Sequence, residues 1–211
     1  MTIRLSDLEV ARVLSPYGFS ADPRLCEVIR AYIALLLRWN QSISLTTVTD
    51  PIDILRFHIG ESLFAVSKLP VENCRLADVG SGAGLPGIPL ALASPGARIF
   101  LIESNTKKFT FLNEAIRELR LRNTVAIHSR MEDVQAGVIG GDRLNVVAGR
   151  AVGQMDKLLA WSARSLSEGG MAALWLGEDD AKIVSGTPGW LWTSDLIPGS
   201  MRRYLVTGTR A

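Results

Sequence analysis

Residues 75–89 read RLADVGSGAGLPGIP, which is the most informative segment of the sequence for the fold. Its first five residues predict a short strand, and three alternating glycines, Gly80, Gly82 and Gly84, follow directly. Glycine tolerates a positive φ and has no Cβ, so a ligand can lie directly against the main chain. The stretch therefore predicts a strand that leads into a ligand-binding turn, although glycines also form plain turns between a strand and a helix.

Short β-rich runs recur along the chain after this turn, with helical stretches between the first four of them. The runs are residues 98–102, 125–128, 144–147, 171–176, 190–197 and 201–207. Alternation of strand and helix predicts a parallel sheet covered by helices on both faces. The last two runs are joined by Pro198, Gly199 and Ser200 and predict an antiparallel hairpin. We expect an α/β, Rossmann-like fold: a mostly parallel seven-stranded sheet with a C-terminal hairpin and ligands beyond its strands' carboxyl ends.

Four helices are predicted ahead of the sheet. Ser6 opens a capping box for the first, and Asp22 before Pro23 caps the second, which carries one apolar stripe. The predicted helices cover residues 8–14, 23–39, 51–58 and 62–68. We expect residues 1–70 to form an N-terminal helical extension packed on a core of residues 71–211, within a single structural domain.

The composition suits one globular domain, since 47% of the 211 residues are hydrophobic. No apolar run is long enough for a membrane span, and the N-terminus lacks the order of a signal peptide. The cysteines, Cys26 and Cys74, form no CxxC pair, which fits a reducing compartment. We expect a cytoplasmic protein without a membrane or metal partner. Most of its positive charge is arginine, which suits phosphate but also follows from biased genome composition.

The charges around the glycine turn distinguish between two cofactor classes. Residues 82–87 match the GxGxxG dinucleotide fingerprint, which leaves a nicotinamide oxidoreductase as an alternative. A diphosphate needs free backbone N–H groups at the following helix, however, and Pro86 and Pro89 each remove one. Asp78 would repel phosphates, whereas it attracts the ammonium and sulfonium of S-adenosylmethionine. The charges therefore favour S-adenosylmethionine as the cofactor.

Acidic residues after the next two strands complete the predicted cofactor site. Glu103 ends the second strand about 20 residues past the glycine turn, where an acid can accept hydrogen bonds from ribose hydroxyls. The alternative is that Glu103 caps the helix that starts near Thr106. Met131 and Glu132 follow the third strand, where they can contact the adenine edge or serve a helix N-terminus.

Five motifs resemble one family. They are residues 78–89 (DVGSGAGLPGIP), 38–46 (around WN and LT), 57–63 (FHIGESL), 103–112 (ES, KK and FL) and 149–151 (GRA). In these motifs the chain resembles the bacterial small-subunit ribosomal RNA guanine-N7 methyltransferases, the glucose-inhibited division protein B family. The sequence departs from the family pattern at Glu61, Gly149 and Leu176, where Asp, Ser and Lys are usual.

The resemblance implies a class I S-adenosylmethionine-dependent methyltransferase fold. It also implies methylation of N7 of one guanosine in the decoding-region loop of 16S rRNA, with the rRNA or the small ribosomal subunit as partner. The implied cofactor-binding residues are Asp78, Gly80, Ser81, Gly82, Gly84, Leu85, Glu103 and Arg150, to which Met131 and Glu132 are added for adenine.

Guanine N7 presents an in-plane lone pair, so its methylation requires no general base, and catalysis comes mainly from alignment. Arg150, after the fourth strand, is the predicted catalytic and substrate-contacting residue, with a salt bridge across the cleft as its alternative. Asn40, Thr46 and His58 are further substrate candidates; a capped turn and a packed histidine are their alternatives. A methyltransferase for another RNA, a protein or a small molecule remains open, as does a non-catalytic RNA chaperone that binds the cofactor.

Overall fold

The computed structural model describes residues 3–134, 139, 141–151 and 153–211. The strands in this part of the chain are β1 (Arg75–Val79), β2 (Arg98–Glu103), β3 (Thr124–His128), β4 (Leu144–Arg150), β5 (Leu166–Gly177), β6 (Trp190–Leu196) and β7 (Arg203–Arg210). They form one seven-stranded sheet in the order β3-β2-β1-β4-β5-β7-β6. Strands β1 to β5 are parallel, and β7 runs antiparallel to both β5 and β6. The predicted Rossmann-like sheet with a C-terminal hairpin is confirmed.

The helices are α1 (Asp7–Leu14), α2 (Pro23–Asn40), α3 (Pro51–Asp53), α4 (Glu61–Leu63), α5 (Gly87–Ala93), α6 (Thr106–Glu118), α7 (Met155–Ser165) and α8 (Glu178–Ser185). The predicted caps are present: Ser6 and Glu9 form a capping box, and the Asp22 side chain accepts a hydrogen bond from Leu25 N. These caps satisfy N–H groups that a helix N-terminus leaves unpaired. No helix in the described ranges is long and apolar enough to cross a lipid bilayer.

The third and fourth predicted helices are one continuous helical run. Between α3 and α4 the backbone widens into the π-helical turn Ile54–Gly60, and after α4 it tightens into the 3₁₀ turn Phe64–Ser67. Gly60 lies against Tyr17, since a Cβ at position 60 would come within 2.4 Å of the tyrosine ring. This run carries His58 and Glu61 to the edge of the sheet where the parallel strands end.

Strand β5 is longer than predicted. Residues 166–170 extend it toward its N-terminus, and Leu166 pairs with Leu144 across a bulge. The prediction began this strand at residue 171, and only the pairing of Leu166 with β4 shows that the preceding segment, with Gly169 at φ +71°, belongs to the sheet.

Strand β1 lies in the middle of the sheet, between β2 and β4. The strand order reverses at this point, so the carboxyl end of β1 opens into a crevice flanked by loops that run in opposite directions. One apolar cluster joins the N-terminal helices to α5, α6 and one face of the sheet, and a second joins α7 and α8 to the other face. The glycine turn therefore stands at the crevice, and the helical front lies beside it. The division of the chain at residue 70 stays a prediction.

Candidate active site

The turn after β1 has the backbone that its glycines predict. Gly80, Gly82 and Gly84 have φ values of +69°, +55° and +82°. A side chain at Gly84 would also collide with Ile88, whose Cδ1 would lie 2.3 Å from the added Cβ. These positions therefore require glycine for conformation and, at Gly84, for space. Ser81 is buried and its hydroxyl donates to the Asp78 carbonyl, which tightens the turn.

The helix after this turn does not offer free N–H groups to a diphosphate. Gly87 N donates to Asp78 Oδ2 at 3.0 Å, and Ile88 N donates to the Gly84 carbonyl at 2.7 Å. Pro86 and Pro89 have no N–H to offer. The dinucleotide reading of residues 82–87 therefore lacks the donors that a pyrophosphate requires at a helix N-terminus.

Asp78 is a fully buried carboxyl group at the floor of the crevice. Its Oδ2 accepts from Gly87 N, while its Oδ1 is buried and accepts no hydrogen bond from any residue that the structure describes. Burial raises the pKa of Asp78 to about 7, although the hydrogen bond from Gly87 and the neighbouring Ser81 hydroxyl lower it. Asp78 Oδ1 is therefore an unused acceptor, and a positively charged group of a ligand would supply the donor.

We expect the affinity for S-adenosylhomocysteine to depend on pH through Asp78. The ammonium group of S-adenosylhomocysteine favours the ionised carboxylate, so binding lowers the Asp78 pKa below the value of about 7 in the free protein. Affinity should therefore be constant above pH 7 and fall by about ten-fold per unit as the pH drops below it. Calorimetry between pH 5.5 and 8.5 measures this; a flat profile would show that Asp78 does not sense the ligand's charge.

Glu103 connects the glycine turn with the helix after β2. Its Oε2 accepts from Gly82 N at 2.9 Å and its Oε1 from Asn105 N at 2.7 Å. Glu103 does not cap α6, because the Asn105 side chain does so by accepting from the first turn of that helix. The carboxylate is buried at the crevice and retains lone pairs for ligand hydroxyls, so its role in ribose binding stays a prediction.

Met131 and Glu132 lie in a 3₁₀ turn, Met131–Asp133, directly after β3. Met131 is buried, whereas Glu132 is exposed and lies 4.0 Å from Lys157. The N-cap of this turn is Arg130, without a side-chain hydrogen bond, so Glu132 does not act as the cap. Leu85 is buried at the end of the glycine turn. Their contacts with the cofactor remain predictions.

Tyr32 is a residue of this site that the sequence analysis missed. It is fully buried in α2, and its hydroxyl donates to the Ala83 carbonyl at 2.6 Å. The bond ties the N-terminal helical front directly to the glycine turn. A tyrosine within an apolar helical stripe looks like ordinary core packing, so no local pattern indicates this contact.

Tyr32→Phe is expected to lower the free energy of unfolding by about 1–3 kcal/mol, because it leaves the buried Ala83 carbonyl without a donor. Urea denaturation measures the loss. The matched control is Tyr17→Phe, since Tyr17 is also buried but its hydroxyl makes no hydrogen bond with a described residue. Equal stability of the two variants would contradict the role assigned to the Tyr32 hydroxyl.

Arg150 ends β4 and crosses the crevice to the helical front. Its Nη2 donates to the Phe57 carbonyl at 2.8 Å and to Glu61 Oε2 at 3.1 Å. Its Nη1 is buried and has no acceptor within the described chain. Burial lowers the Arg150 pKa, which the Glu61 charge counteracts. The predicted alternative, a salt bridge across the cleft, is thus present, and the buried Nη1 remains a donor without an acceptor.

Glu61 is the acceptor that organises this side of the crevice. Only 1% of its side chain is exposed, and burial raises its pKa although Arg150 and Arg203 oppose the shift. Trp175 on β5 donates its indole N–H to the Glu61 carbonyl at 2.8 Å. The motif 57–63 therefore places its acid at a buried junction with β4 and β5.

A cleft of about 500 Å³ opens beside Arg150 at the carboxyl ends of β4 and β5. Its described charged residues are Glu61, Arg150, Asp180 and Arg203, and the remainder of its wall is mainly apolar. Leu176, at the position where the family commonly has Lys, is buried in this wall. The cleft has the size and the mixed polarity of a site for a small planar group such as a nucleobase.

Asn40, Thr46 and His58 form one hydrogen-bonded group. Asn40 Oδ1 accepts from the backbone N–H groups of Leu45 and Thr46, and its Nδ2 donates to the Thr46 carbonyl. Thr46 Oγ1 lies 2.6 Å from His58 Nε2. The capped turn that was the alternative reading is therefore present, and a substrate role for these residues stays a prediction.

His58 is neutral in this group, because burial lowers its pKa to about 4 and the charge of Arg150 adds to the effect. Its buried Nδ1 has no hydrogen-bond partner among the residues described. In the same described part of the chain, no cluster of three His, Cys, Asp or Glu residues is arranged to hold a metal ion.

Comparison with known proteins shows which family this chain matches. A family model described as rRNA small subunit methyltransferase G (GidB) matches residues 25–188. A protein of Dichelobacter nodosus named ribosomal RNA small subunit methyltransferase G is 37% identical over 163 residues, which cover 77% of this chain and 75% of that protein. The protein of the same name from Stenotrophomonas maltophilia is 36% identical over 194 residues, or 89% and 88% of the two chains.

Solved structures agree on the fold. A SAM-dependent methyltransferase from Aquifex aeolicus superposes with a TM-score of 0.62 at 13% identity, covering 77% of this chain and 94% of that one. At this identity the likeness concerns the fold alone. Because the family model spans most of the chain and the first relative is more than one third identical, this chain belongs to the rRNA small subunit methyltransferase G family.

Proposed function

We propose that this protein transfers a methyl group from S-adenosylmethionine to N7 of a guanosine in the decoding-region loop of 16S rRNA, in the cytoplasm. Family membership supports an rRNA substrate, and the motifs 78–89 and 149–151 resemble those of the guanine-N7 enzymes. The observation that carries the cofactor assignment is the buried Asp78 Oδ1, which lacks a donor beneath the glycine turn.

The residues around the turn fit S-adenosylmethionine better than a dinucleotide. Asp78 would balance the positive charge of the cofactor, and the carboxylate of Glu103 would accept from its ribose hydroxyls. The N–H groups of Gly87 and Ile88, which a diphosphate would need, are already donated within the protein. When bound, S-adenosylmethionine supplies an electrophilic methyl group on a sulfonium.

The chain's own residues have to align the base rather than move a proton. Guanine N7 is unprotonated and has an in-plane lone pair, so the site requires no general base. His58 fits this requirement, because a pKa lowered to about 4 makes it a weak base. Arg150, fixed by Phe57 and Glu61, would orient the base through its free Nη1, for example toward guanine O6.

The decisive experiment offers methyl-tritiated S-adenosylmethionine and the purified protein to small ribosomal subunits that lack the methyl group. We expect label in 16S rRNA, recovered as 7-methylguanosine after nuclease digestion, and none in free nucleosides. Other RNAs, proteins and small molecules serve as comparison substrates in the same assay. Normal binding of S-adenosylhomocysteine with unlabelled 16S rRNA would contradict the proposed substrate, and binding of NAD instead would contradict the cofactor.

A further inference from the structure

The cleft beside Arg150 contains a second guanidinium, that of Arg203 at the start of β7. Arg203 Nε lies 2.7 Å from Glu61 Oε1, while Arg150 contacts the other oxygen of the same carboxylate. The Arg203 contact is an ion pair whose N–H direction does not meet hydrogen-bond geometry, since Oε1 receives no hydrogen bond within the described chain. One buried carboxylate is thus shared by two guanidinium groups, and one unit of positive charge remains uncompensated at this wall.

Arg203 presents this charge at the rim of the cleft. Its side chain is 44% exposed, against 19% for Arg150, and its Nη groups have no acceptor among the described residues. Its guanidinium carbon lies 4.9 Å from the centre of the half-buried Phe57 ring. Arg56, also 44% exposed, lies 5.6 Å from the same ring centre, but its charge is paired with that of Asp53 at 3.1 Å. Phe57 therefore holds the planar group of Arg203 in place.

The opposite wall of the cleft is acidic and apolar. It is formed by α8, which contributes the exposed acid Asp180 together with Ile183 and Val184. Of these two walls, the one that carries Arg203 offers the more favourable charge to a polyanion entering the cleft. The cleft therefore offers two different places: the rim at Arg203 suits a backbone phosphate, and the interior suits a base.

We propose that Arg203 binds a backbone phosphate of the RNA beside the target guanosine and thereby holds the base in the cleft. The inference rests on the proposed function, since it assigns a substrate contact to the same site. A guanidinium fork with free Nη groups matches two phosphate oxygens at once, which an ammonium group does not. Glu61 is then a positioning residue that orients Arg203 and Arg150 from below.

The test compares wild type with Arg203→Ala, Arg203→Lys and Arg202→Ala. Arg202 is the adjacent arginine, but it contacts Glu178 and Asp179 on the outer side of α8, so its loss is a control for formal charge alone. Equilibrium binding to a 16S rRNA transcript is measured over a range of KCl concentrations. KM and kcat for methyl transfer and the Kd for S-adenosylhomocysteine are measured alongside.

For Arg203→Ala we expect the slope of log affinity against log salt to decrease in magnitude by about 0.7–0.9, the value for one lost phosphate contact. KM should rise by about ten-fold or more, with kcat and the affinity for S-adenosylhomocysteine nearly unchanged. Arg203→Lys should keep the salt slope and lose only part of the affinity, because it keeps the charge but not the fork. Arg202→Ala should match wild type.

Equal effects of Arg203→Ala and Arg202→Ala would overturn the inference, because they would reveal a general effect of charge. A loss confined to kcat or to cofactor affinity would do the same. In either case normal methylation by wild type would leave the proposed function standing. If wild type binds S-adenosylhomocysteine but neither binds nor methylates the RNA, the proposed function fails and this inference fails with it.

Discussion

Asp78→Asn is expected to reduce the affinity for S-adenosylhomocysteine by at least about 30-fold while making the protein more stable at pH 8. The asparagine amide can still accept from Gly87 N, so the turn keeps its hydrogen bond. What it loses is the negative charge, which the ammonium group of the ligand requires and the free protein does not. Binding and stability should therefore change in opposite directions.

The stability gain follows from the sign of the pKa shift. The folded pKa of Asp78, about 7, lies above its ordinary value of 3.8, so the protonated form is the one that folding favours. Stability from this group is complete below pH 3.8 and is lost progressively as the pH rises from there through 7, by as much as about 4 kcal/mol in total. Asp78→Asn should remove that loss, and the difference from wild type should shrink toward pH 5.5.

Urea denaturation and calorimetry at pH 8 and pH 5.5 measure both effects. The control is Asp142→Asn, which removes the same charge from an exposed residue before β4, at the opposite edge of the parallel strands. It should leave affinity and stability nearly unchanged. Retained affinity in Asp78→Asn would show that the crevice does not use this charge.

Arg150→Ala is expected to reduce methyl transfer by at least about 100-fold, because it removes the donor best placed to orient the base. It also leaves Glu61 buried with Arg203 as its remaining partner. Removing one partner of a buried ion pair destabilises a protein by about 3–5 kcal/mol, and we expect the lower end here because Arg203 still lies 2.7 Å away.

A second substitution separates the two effects. In the double variant Arg150→Ala with Glu61→Gln the uncompensated buried charge is gone, so part of the lost stability should return. Methyl transfer should stay at the level of Arg150→Ala, because the donor is still missing. If Glu61→Gln fails to restore stability, the buried Glu61 charge is not the cause of the loss. If it restores activity, Arg150 acts only through the fold.

The features that could be predicted from the sequence are those that depend on residues close together along the chain. The glycine turn could be predicted because φ values of +55° to +82° suit glycine, and Asp78 because it lies in the same motif. The helix caps at Ser6 and Asp22 depend on contacts within three residues. Alternation of strand and helix then allowed only a few sheet topologies, and the observed order is one of them.

Contacts between residues that are distant in the sequence follow from the packing of the whole fold. Tyr32 reaches Ala83 across 51 positions, and Arg150 reaches Glu61 across 89. No periodicity or local motif records such pairs, because they depend on how the helical front packs over the sheet. For the same reason the sequence could not predict that Glu61, on a helix, and Arg203, at the start of a hairpin strand, belong to one site. Arg150 and Arg203 share the charge of Glu61 because the fold brings the three residues together and buries the Glu61 carboxylate away from water.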